Sequence, residues 1–107
     1  MTRTVREVTV EELEAQRNLG DVQVIDVRSP EEYATGHVPG AVNMPFEDLL
    51  AAPAASARAG AHVVCHSGRR SAEAVRALGE AGIPAVSVAG GTAAWIESGR
   101  KIEGGTP

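Results

Sequence analysis

The sequence has few aromatic residues, a single cysteine and no excess of positive charge. Aromatic residues make up 3% of the 107 residues while 43% are hydrophobic, so we expect a core of aliphatic side chains. One cysteine excludes an internal disulfide and a zinc site built from several cysteines. A net charge of −4, with both signs interspersed, argues against a nucleic-acid-binding protein, which would carry a basic stripe.

Long apolar runs are also missing. The longest, residues 49–55, contains Pro53 and is far too short to span a membrane. The first ten residues hold no apolar segment typical of a signal peptide. We therefore expect a cytoplasmic protein without a membrane partner. The length of 107 residues predicts one domain, with its core over about residues 5–103 and a short flexible C-terminal tail.

Helix and strand signals alternate along the chain. Thr9 and Ser29 each precede a glutamate by three residues, the spacing of a capping box at a helix start. Largely apolar, β-branched segments predict strands at residues 22–28, 61–65 and 85–91, and a short strand is expected at residues 41–43. Residues 53–61, rich in small side chains, are expected to be the least ordered interior connection. The alternation predicts an α/β domain with a mainly parallel sheet.

Single residues of the predicted helices are assigned roles in packing and capping. Leu13 and Leu19 are expected to anchor the first helix in the core. Thr92 is predicted to cap the last helix, in which Trp95 is expected to pack in the core. Glu31 and Glu32 are expected to serve the helix start after Ser29.

Unusual residues follow three of the predicted strands. Asp26 and Arg28 end the first of them, Cys65 the second, and Gly90 with Gly91 the third. The carboxyl ends of parallel strands meet at one edge of a sheet, which is where sites form in such folds. The sequence therefore predicts that these residues lie close together.

The segment after Cys65 has the composition of an anion-binding loop. Gly68 permits a tight turn into the following helix, whose N terminus directs N–H groups toward an anion. The sulfur of Cys65 lies where that anion would sit, so we expect the pKa of its thiol below about 8.5. Arg69 and Arg70 add positive charge and forked donors. A purely structural cysteine would not need Gly68 or the two arginines.

Three segments in order resemble the rhodanese family of thiosulfate sulfurtransferases. These are VIDVRSPEEYATGHVPGAVNMP at residues 24–45, VVCHSGRRSAEAVRAL at residues 63–78 and VAGGTAAWIESG at residues 88–99. The resemblance extends over roughly residues 7–103. It implies a rhodanese-like α/β fold with a mainly parallel five-stranded sheet and helices on both faces.

The resemblance also implies sulfur transfer by way of Cys65. Its thiolate would take the outer sulfur of a small-molecule donor such as thiosulfate, form a persulfide and release sulfite. A small-molecule acceptor such as cyanide or a thiol, or a protein acceptor, would then remove the sulfur. No metal or organic cofactor is implied. The residues that would surround the persulfide are His66, Ser67, Gly68, Arg69, Arg70 and Ser71.

The resemblance gives the neighbouring residues different weights. Arg70 matches the arginine of the family's loop, so we expect it to matter more for thiosulfate than Arg69. Asp26 and Arg28 are expected to support the loop as a charge pair or backbone brace. For His66, a role in substrate access stays open.

Three other functions are considered. Phosphatases and arsenate reductases with a related cysteine loop place five residues before the arginine, whereas four separate Cys65 from Arg70. The shorter loop favours one sulfur atom over a tetrahedral phosphate. A persulfide carrier that delivers sulfur to a partner protein would keep the same cysteine and stays an alternative. A non-catalytic interaction module does not explain the intact loop.

Overall fold

The computed structural model describes residues 5–105, which contain a five-stranded sheet with parallel pairing throughout. Its strands are β1 (Glu7–Val8), β2 (Val24–Asp26), β3 (Val42–Asn43), β4 (Ala61–Val64) and β5 (Ala85–Val88). They lie across the sheet in the order β1-β5-β4-β2-β3. The predicted α/β fold with a five-stranded sheet is confirmed. The two-residue strand β1 was not among the strands predicted from the sequence.

Six helices connect and cover these strands. They are α1 (Val10–Leu19), α2 (Pro30–Thr35), α3 (Phe46–Ala51), α4 (Pro53–Ser56), α5 (Arg69–Glu80) and α6 (Gly91–Glu97). The capping boxes predicted at Thr9 and Ser29 are both present. Within residues 5–105, no helix is long and apolar enough to cross a bilayer.

Two apolar clusters fill the two faces of the sheet. Neighbouring strand residues point to opposite faces, so Val63 and Val64 belong to different clusters. Val63 packs with Leu49 of α3 and Leu78 of α5. The other face holds α1 and α6, and Val64 packs there with a cluster that includes Trp95. Burial on both faces fixes the strand ends and therefore the position of the residues that follow them.

The expected anchor at Leu19 is wrong. Leu13 is fully buried, but Leu19 at the end of α1 is 80% exposed. Val10, one turn before Leu13, provides the second buried contact instead. Residues three or four apart share one helix face, whereas Leu19 lies six positions after Leu13.

The connection expected to be the least ordered interior region contains a short helix. Pro53 starts α4, and its fixed φ suits the first helical position. The hydroxyl of Ser56 donates to the carbonyl of Ala52 at 2.6 Å, which closes the turn. Small side chains at residues 53–61 suggested a loose segment, but one proline and one local hydrogen bond order its first part.

Backbone hydrogen bonds tie residues 103–105 to the turn and helix around residues 34–37, whereas the flexibility of the tail stays a prediction. Glu103 exchanges two backbone hydrogen bonds with His37, of 2.8 and 2.9 Å. The N–H of Gly105 donates to the carbonyl of Ala34 at 2.8 Å. These partners lie far away in sequence, which is why local composition did not reveal them. Thr106 and Pro107 lie outside the described residues.

Thr92 is not the cap of the last helix. Gly90, in the left-handed region at φ 76°, occupies the N-cap position, and Thr92 lies inside α6. Its N–H donates to the carbonyl of Cys65 at 2.8 Å. Its buried hydroxyl has no hydrogen-bond partner among residues 5–105. A hydroxyl buried in this way costs free energy, so this side chain is a weak point in the fold.

Thr9→Val and Thr92→Val should therefore have opposite effects on the free energy of unfolding. Thr9→Val removes a true cap and should cost about 1 kcal/mol. Thr92→Val keeps the side-chain shape and removes the unpaired hydroxyl, so stability should be unchanged or higher by up to about 1 kcal/mol. Urea unfolding followed by circular dichroism measures both. Equal losses in the two variants would contradict the assignment.

Candidate active site

The sulfur of Cys65 lies inside the turn between β4 and α5. We call residues 65–71 the cradle loop. The N–H of Gly68 donates to Cys65 Sγ at 3.0 Å, and Ser71 Oγ lies 3.5 Å from the same sulfur. Cys65 is only 1% exposed, whereas His66, Ser67 and Arg69 are exposed. The sequence correctly predicted that a strand end and a helix start would enclose this thiol.

Hydrogen bonds within the cradle loop favour the thiolate. Burial raises the pKa of the Cys65 thiol, but the Ser71 hydroxyl and the N–H groups of Ser71, Gly68 and Ser67 lower it more. The net pKa lies below the ordinary value of a thiol, the direction expected from the sequence. An anion on this sulfur, whether thiolate or persulfide, is therefore stabilised by groups already in place.

The start of α6 holds the cradle loop from behind. The N–H groups of Thr92 and Ala93 donate to the carbonyl oxygens of Cys65 and His66 at 2.8 and 3.0 Å. Gly91 makes this approach possible: a Cβ there would clash with the carbonyl oxygen of Cys65 and lie 2.8 Å from that of His66. Gly68 turns the chain into α5 at φ 109°, a conformation that favours glycine.

Arg70 is bound to a glutamate on another helix. Its Nη1 and Nη2 donate to the two carboxylate oxygens of Glu32 on α2, at 2.9 and 3.1 Å. This pairing with Arg70 holds the pKa of Glu32 at about 2 and raises the pKa of Arg70. Glu32 also caps α2 by accepting from the N–H of Ser29 at 3.1 Å. The expected role of Glu32 at the helix start is confirmed, and its pairing with Arg70 is a second role that the sequence did not indicate.

Arg69 differs from Arg70 in its surroundings. Its side chain is exposed and has no ion-pair partner among residues 5–105. Arg70 is half-buried, and its guanidinium is paired with the carboxylate of Glu32. The sequence did not indicate this difference in surroundings, because it depends on which side of α5 faces α2.

Asp26 and Arg28 form the expected charge pair at the end of β2. Arg28 Nη2 lies 2.9 Å from Asp26 Oδ2 and also donates to the carbonyl of Gly36 at 2.8 Å. The backbone N–H of Arg28 donates to Asp26 Oδ1 at 3.0 Å. Both side chains are buried, so the pair fixes the turn into α2. It therefore braces the helix that carries Glu32 and does not contact the sulfur through any hydrogen bond found in residues 5–105.

The described residues 5–105 offer no arrangement of side chains for metal ligation. Among residues 5–105, no cluster of three or more His, Cys, Asp or Glu side chains could hold a metal ion. His37, another titratable residue, is buried; its ring stacks on Tyr33 at 3.6 Å and its Nδ1 bonds the Tyr33 carbonyl.

Comparison with known proteins identifies the family and the fold. Residues 9–98 match the family model of the rhodanese-like domain. The chain belongs to the rhodanese-like family. A crystal structure of a rhodanese-related protein from Thermoplasma volcanium superposes with a TM-score of 0.81 at 32% identity, covering 92% of this chain and 97% of that one.

Two curated relatives differ in how much of their length this rhodanese-like chain spans. Thiosulfate sulfurtransferase PspE of Escherichia coli is 39% identical over 70 residues, 63% of this chain and 67% of the relative. An HTH-type transcriptional regulator of Mycobacterium tuberculosis is 48% identical over 42 residues, 39% of this chain but only 19% of the regulator. The family and its sulfurtransferase members support sulfur transfer as the general chemistry of this chain.

Gly91→Ala should damage the rhodanese-like fold more than a comparable glycine change elsewhere. Gly99 is the matched control, since it has a similar positive φ but no atom within 4 Å of the position that a Cβ would take. Gly99→Ala should cost about 1–2 kcal/mol from backbone strain alone. Gly91→Ala should cost a further 1–3 kcal/mol or so because its methyl group meets the Cys65 carbonyl. Equal unfolding midpoints for the two variants would show that α6 does not press on the loop.

Proposed function

We propose that this protein is a sulfurtransferase that moves sulfane sulfur from a donor such as thiosulfate to a thiophilic acceptor. The observation that carries the proposal is the ring of hydrogen-bond donors around the only thiol of the chain, with Gly68 N–H 3.0 Å from Cys65 Sγ. Donors fixed around a sulfur favour its anionic forms, and both a thiolate and a persulfide are anions.

The first step charges the enzyme with sulfur. The thiolate of Cys65 attacks the outer sulfur of thiosulfate, and a bond forms between Sγ and that atom. The sulfur–sulfur bond of thiosulfate breaks, and its electron pair leaves with sulfite. The negative charge then lies on the outer sulfur of the persulfide, bonded to the Sγ that accepts from the N–H groups of Ser67, Gly68 and Ser71.

The second step returns the thiolate. An acceptor nucleophile such as cyanide attacks the outer sulfur, and the electron pair of the persulfide bond returns to Cys65 Sγ. The chain has no second cysteine that could take the sulfur internally, so the acceptor comes from outside. The same observation favours a second candidate function, a persulfide carrier whose acceptor is a partner protein. A cytoplasmic location stays a prediction from the sequence.

Arg69 is the better candidate for binding the sulfonate end of thiosulfate. Both terminal nitrogens of Arg70 donate a hydrogen bond to Glu32, whereas Arg69 is exposed at the start of α5. A guanidinium with unused donors can form a forked contact with an oxyanion. The structure therefore favours a different division of roles from the one expected from the sequence, in which Arg70 was the more important for thiosulfate.

Thiosulfate should leave one additional sulfur atom on the protein, and cyanide should remove it as thiocyanate. Intact mass spectrometry before and after each reagent measures both steps, and peptide mapping locates the sulfur on Cys65. Cys65→Ser is the matched control and should gain nothing. An unchanged mass of the wild-type protein, or a sulfur adduct that survives in Cys65→Ser, would refute the proposal. Sulfur uptake with no turnover of small acceptors would favour the carrier.

The two loop arginines should separate in kinetics and stability. Arg69→Ala should raise KM for thiosulfate roughly tenfold, the loss of one charged hydrogen bond, with an unchanged melting temperature. Arg70→Ala should lower stability by about 1 kcal/mol because the bidentate pair with Glu32 is lost. Arg76→Ala, an exposed change of equal charge on the same helix, is the control for general electrostatics. An unchanged KM in Arg69→Ala would contradict the sulfonate assignment.

A further inference from the structure

Ser87 on β5 is a fully buried residue that reaches the cradle loop. Its exposed fraction is 0%, as is that of Ser71. Ser87 Oγ lies 2.7 Å from Ser71 Oγ, and Ser71 Oγ lies 3.5 Å from Cys65 Sγ. A chain of three polar atoms therefore runs from β5 to the sulfur. Buried hydroxyls cost free energy unless they are hydrogen-bonded, so the two serines depend on each other.

The number of protons in this hydrogen-bond chain depends on whether the sulfur is a thiol or a thiolate. In the thiol, Cys65 donates to Ser71 Oγ, and the Ser71 hydroxyl can donate to the carbonyl of Gly68 at 3.1 Å. Once the thiol proton has left for solvent, the sulfur can only accept. The single Ser71 proton is then best used on the anionic sulfur, and Ser71 Oγ has lost the donor that it had.

Ser87 can supply the missing donor. Its hydroxyl lies within hydrogen-bond distance of Ser71 Oγ and can direct its proton there. Donation from Ser87 polarises the Ser71 hydroxyl and strengthens its hydrogen bond to the sulfur. The persulfide has the same requirement, because its inner sulfur carries no proton either.

We propose that Ser87 is a positioning residue, whose hydroxyl turns the Ser71 proton toward Cys65 whenever the sulfur is anionic. The role in sulfur transfer rests on the proposed function, whereas the effect on the thiol does not. The alternative is that the two serines only satisfy each other within the core. In that case the loss of the Ser87 hydroxyl would change stability and leave the thiol as it was.

Charged groups near the loop remain the same in this comparison. Arg69 and Arg70 begin α5, Glu32 on α2 neutralises Arg70, and His66 lies next to the cysteine in sequence. The buried pair of Asp26 and Arg28 lies at the end of β2, beside the end of β4 that precedes Cys65. Because a serine substitution changes none of these charges, a change in thiol ionisation would report the hydrogen-bond chain.

The test measures the ionisation of Cys65 without any sulfur donor. The rate of iodoacetamide alkylation as a function of pH gives the midpoint of the only thiol in the chain. Ser87→Ala should raise this midpoint by roughly half a unit or more. Ser56→Ala is the matched control, since it removes another buried serine hydroxyl, on α4, and should leave the midpoint unchanged.

A double-mutant cycle tests whether Ser87 acts through Ser71. Ser71→Ala should also raise the midpoint, and adding Ser87→Ala to it should produce no further change. Should Ser87→Ala fail to fold, Ser87→Cys replaces it, with the two thiols separated by peptide mapping. The weaker thiol donor should then shift the Cys65 midpoint in the same direction.

The outcomes separate this proposal from the proposed function. A wild-type midpoint in Ser87→Ala, an equal shift in Ser56→Ala, or an additive shift in the Ser71→Ala background would each overturn the role of Ser87. A shifted midpoint that disappears in the Ser71→Ala background supports it. If that shift occurs in a protein that takes up no sulfur from thiosulfate, the proposed function fails and the role of Ser87 in thiol ionisation remains.

Discussion

The hydrogen bonds from the start of α6 to the carbonyl oxygens of Cys65 and His66 determine the shape of the site. A trans peptide group is planar, so its N–H points away from its C=O. A carbonyl of His66 held toward α6 therefore directs the N–H of Ser67 to the other side, where the sulfur lies. The helix α6 thus orients the Ser67 donor of the ring, although none of its side chains forms a hydrogen bond with the sulfur among residues 5–105. Gly91 is the residue that allows the contact.

A second constraint connects the site to α2, the helix that follows the neighbouring strand β2. Glu32 accepts hydrogen bonds from Ser29 within α2 and from Arg70 on α5. One carboxylate thus caps the N terminus of α2 and orients the first turn of α5. Arg28, bound to Asp26 and to the carbonyl of Gly36, holds both ends of α2 in place. The position of Arg70 beside the thiol therefore depends on the buried pair of Asp26 and Arg28, which holds the helix that carries Glu32.

Local patterns predicted the fold class and the cradle loop because both are written in adjacent residues. Capping boxes, β-branched strands and the turn at Gly68 depend on spacing within a few positions. Long-range choices were missed for the same reason. The pairing of Arg70 with Glu32, the bridge of Glu103 to His37 and the reach of Ser87 to Ser71 join segments that only folding brings together. Leu19 and Thr92 were misassigned because a leucine near a helix end and a threonine near a helix start fit the sequence patterns of a core anchor and a cap. Whether the side chain is buried or caps the helix depends on packing that the pattern does not contain.

The pairing of Glu103 with His37 determines on which side of the sheet residues 103–105 lie. It holds the end of the described chain beside the turn that precedes β3, where Gly40 also donates to the Glu103 carboxylate at 3.1 Å. That turn lies at the amino edge of the parallel sheet, as does the start of β1. Both ends of the described chain therefore leave from the edge opposite the sulfur. Residues 5 and 105 therefore do not cover the cradle loop, whose edge of the sheet is formed by the loops that follow the strands.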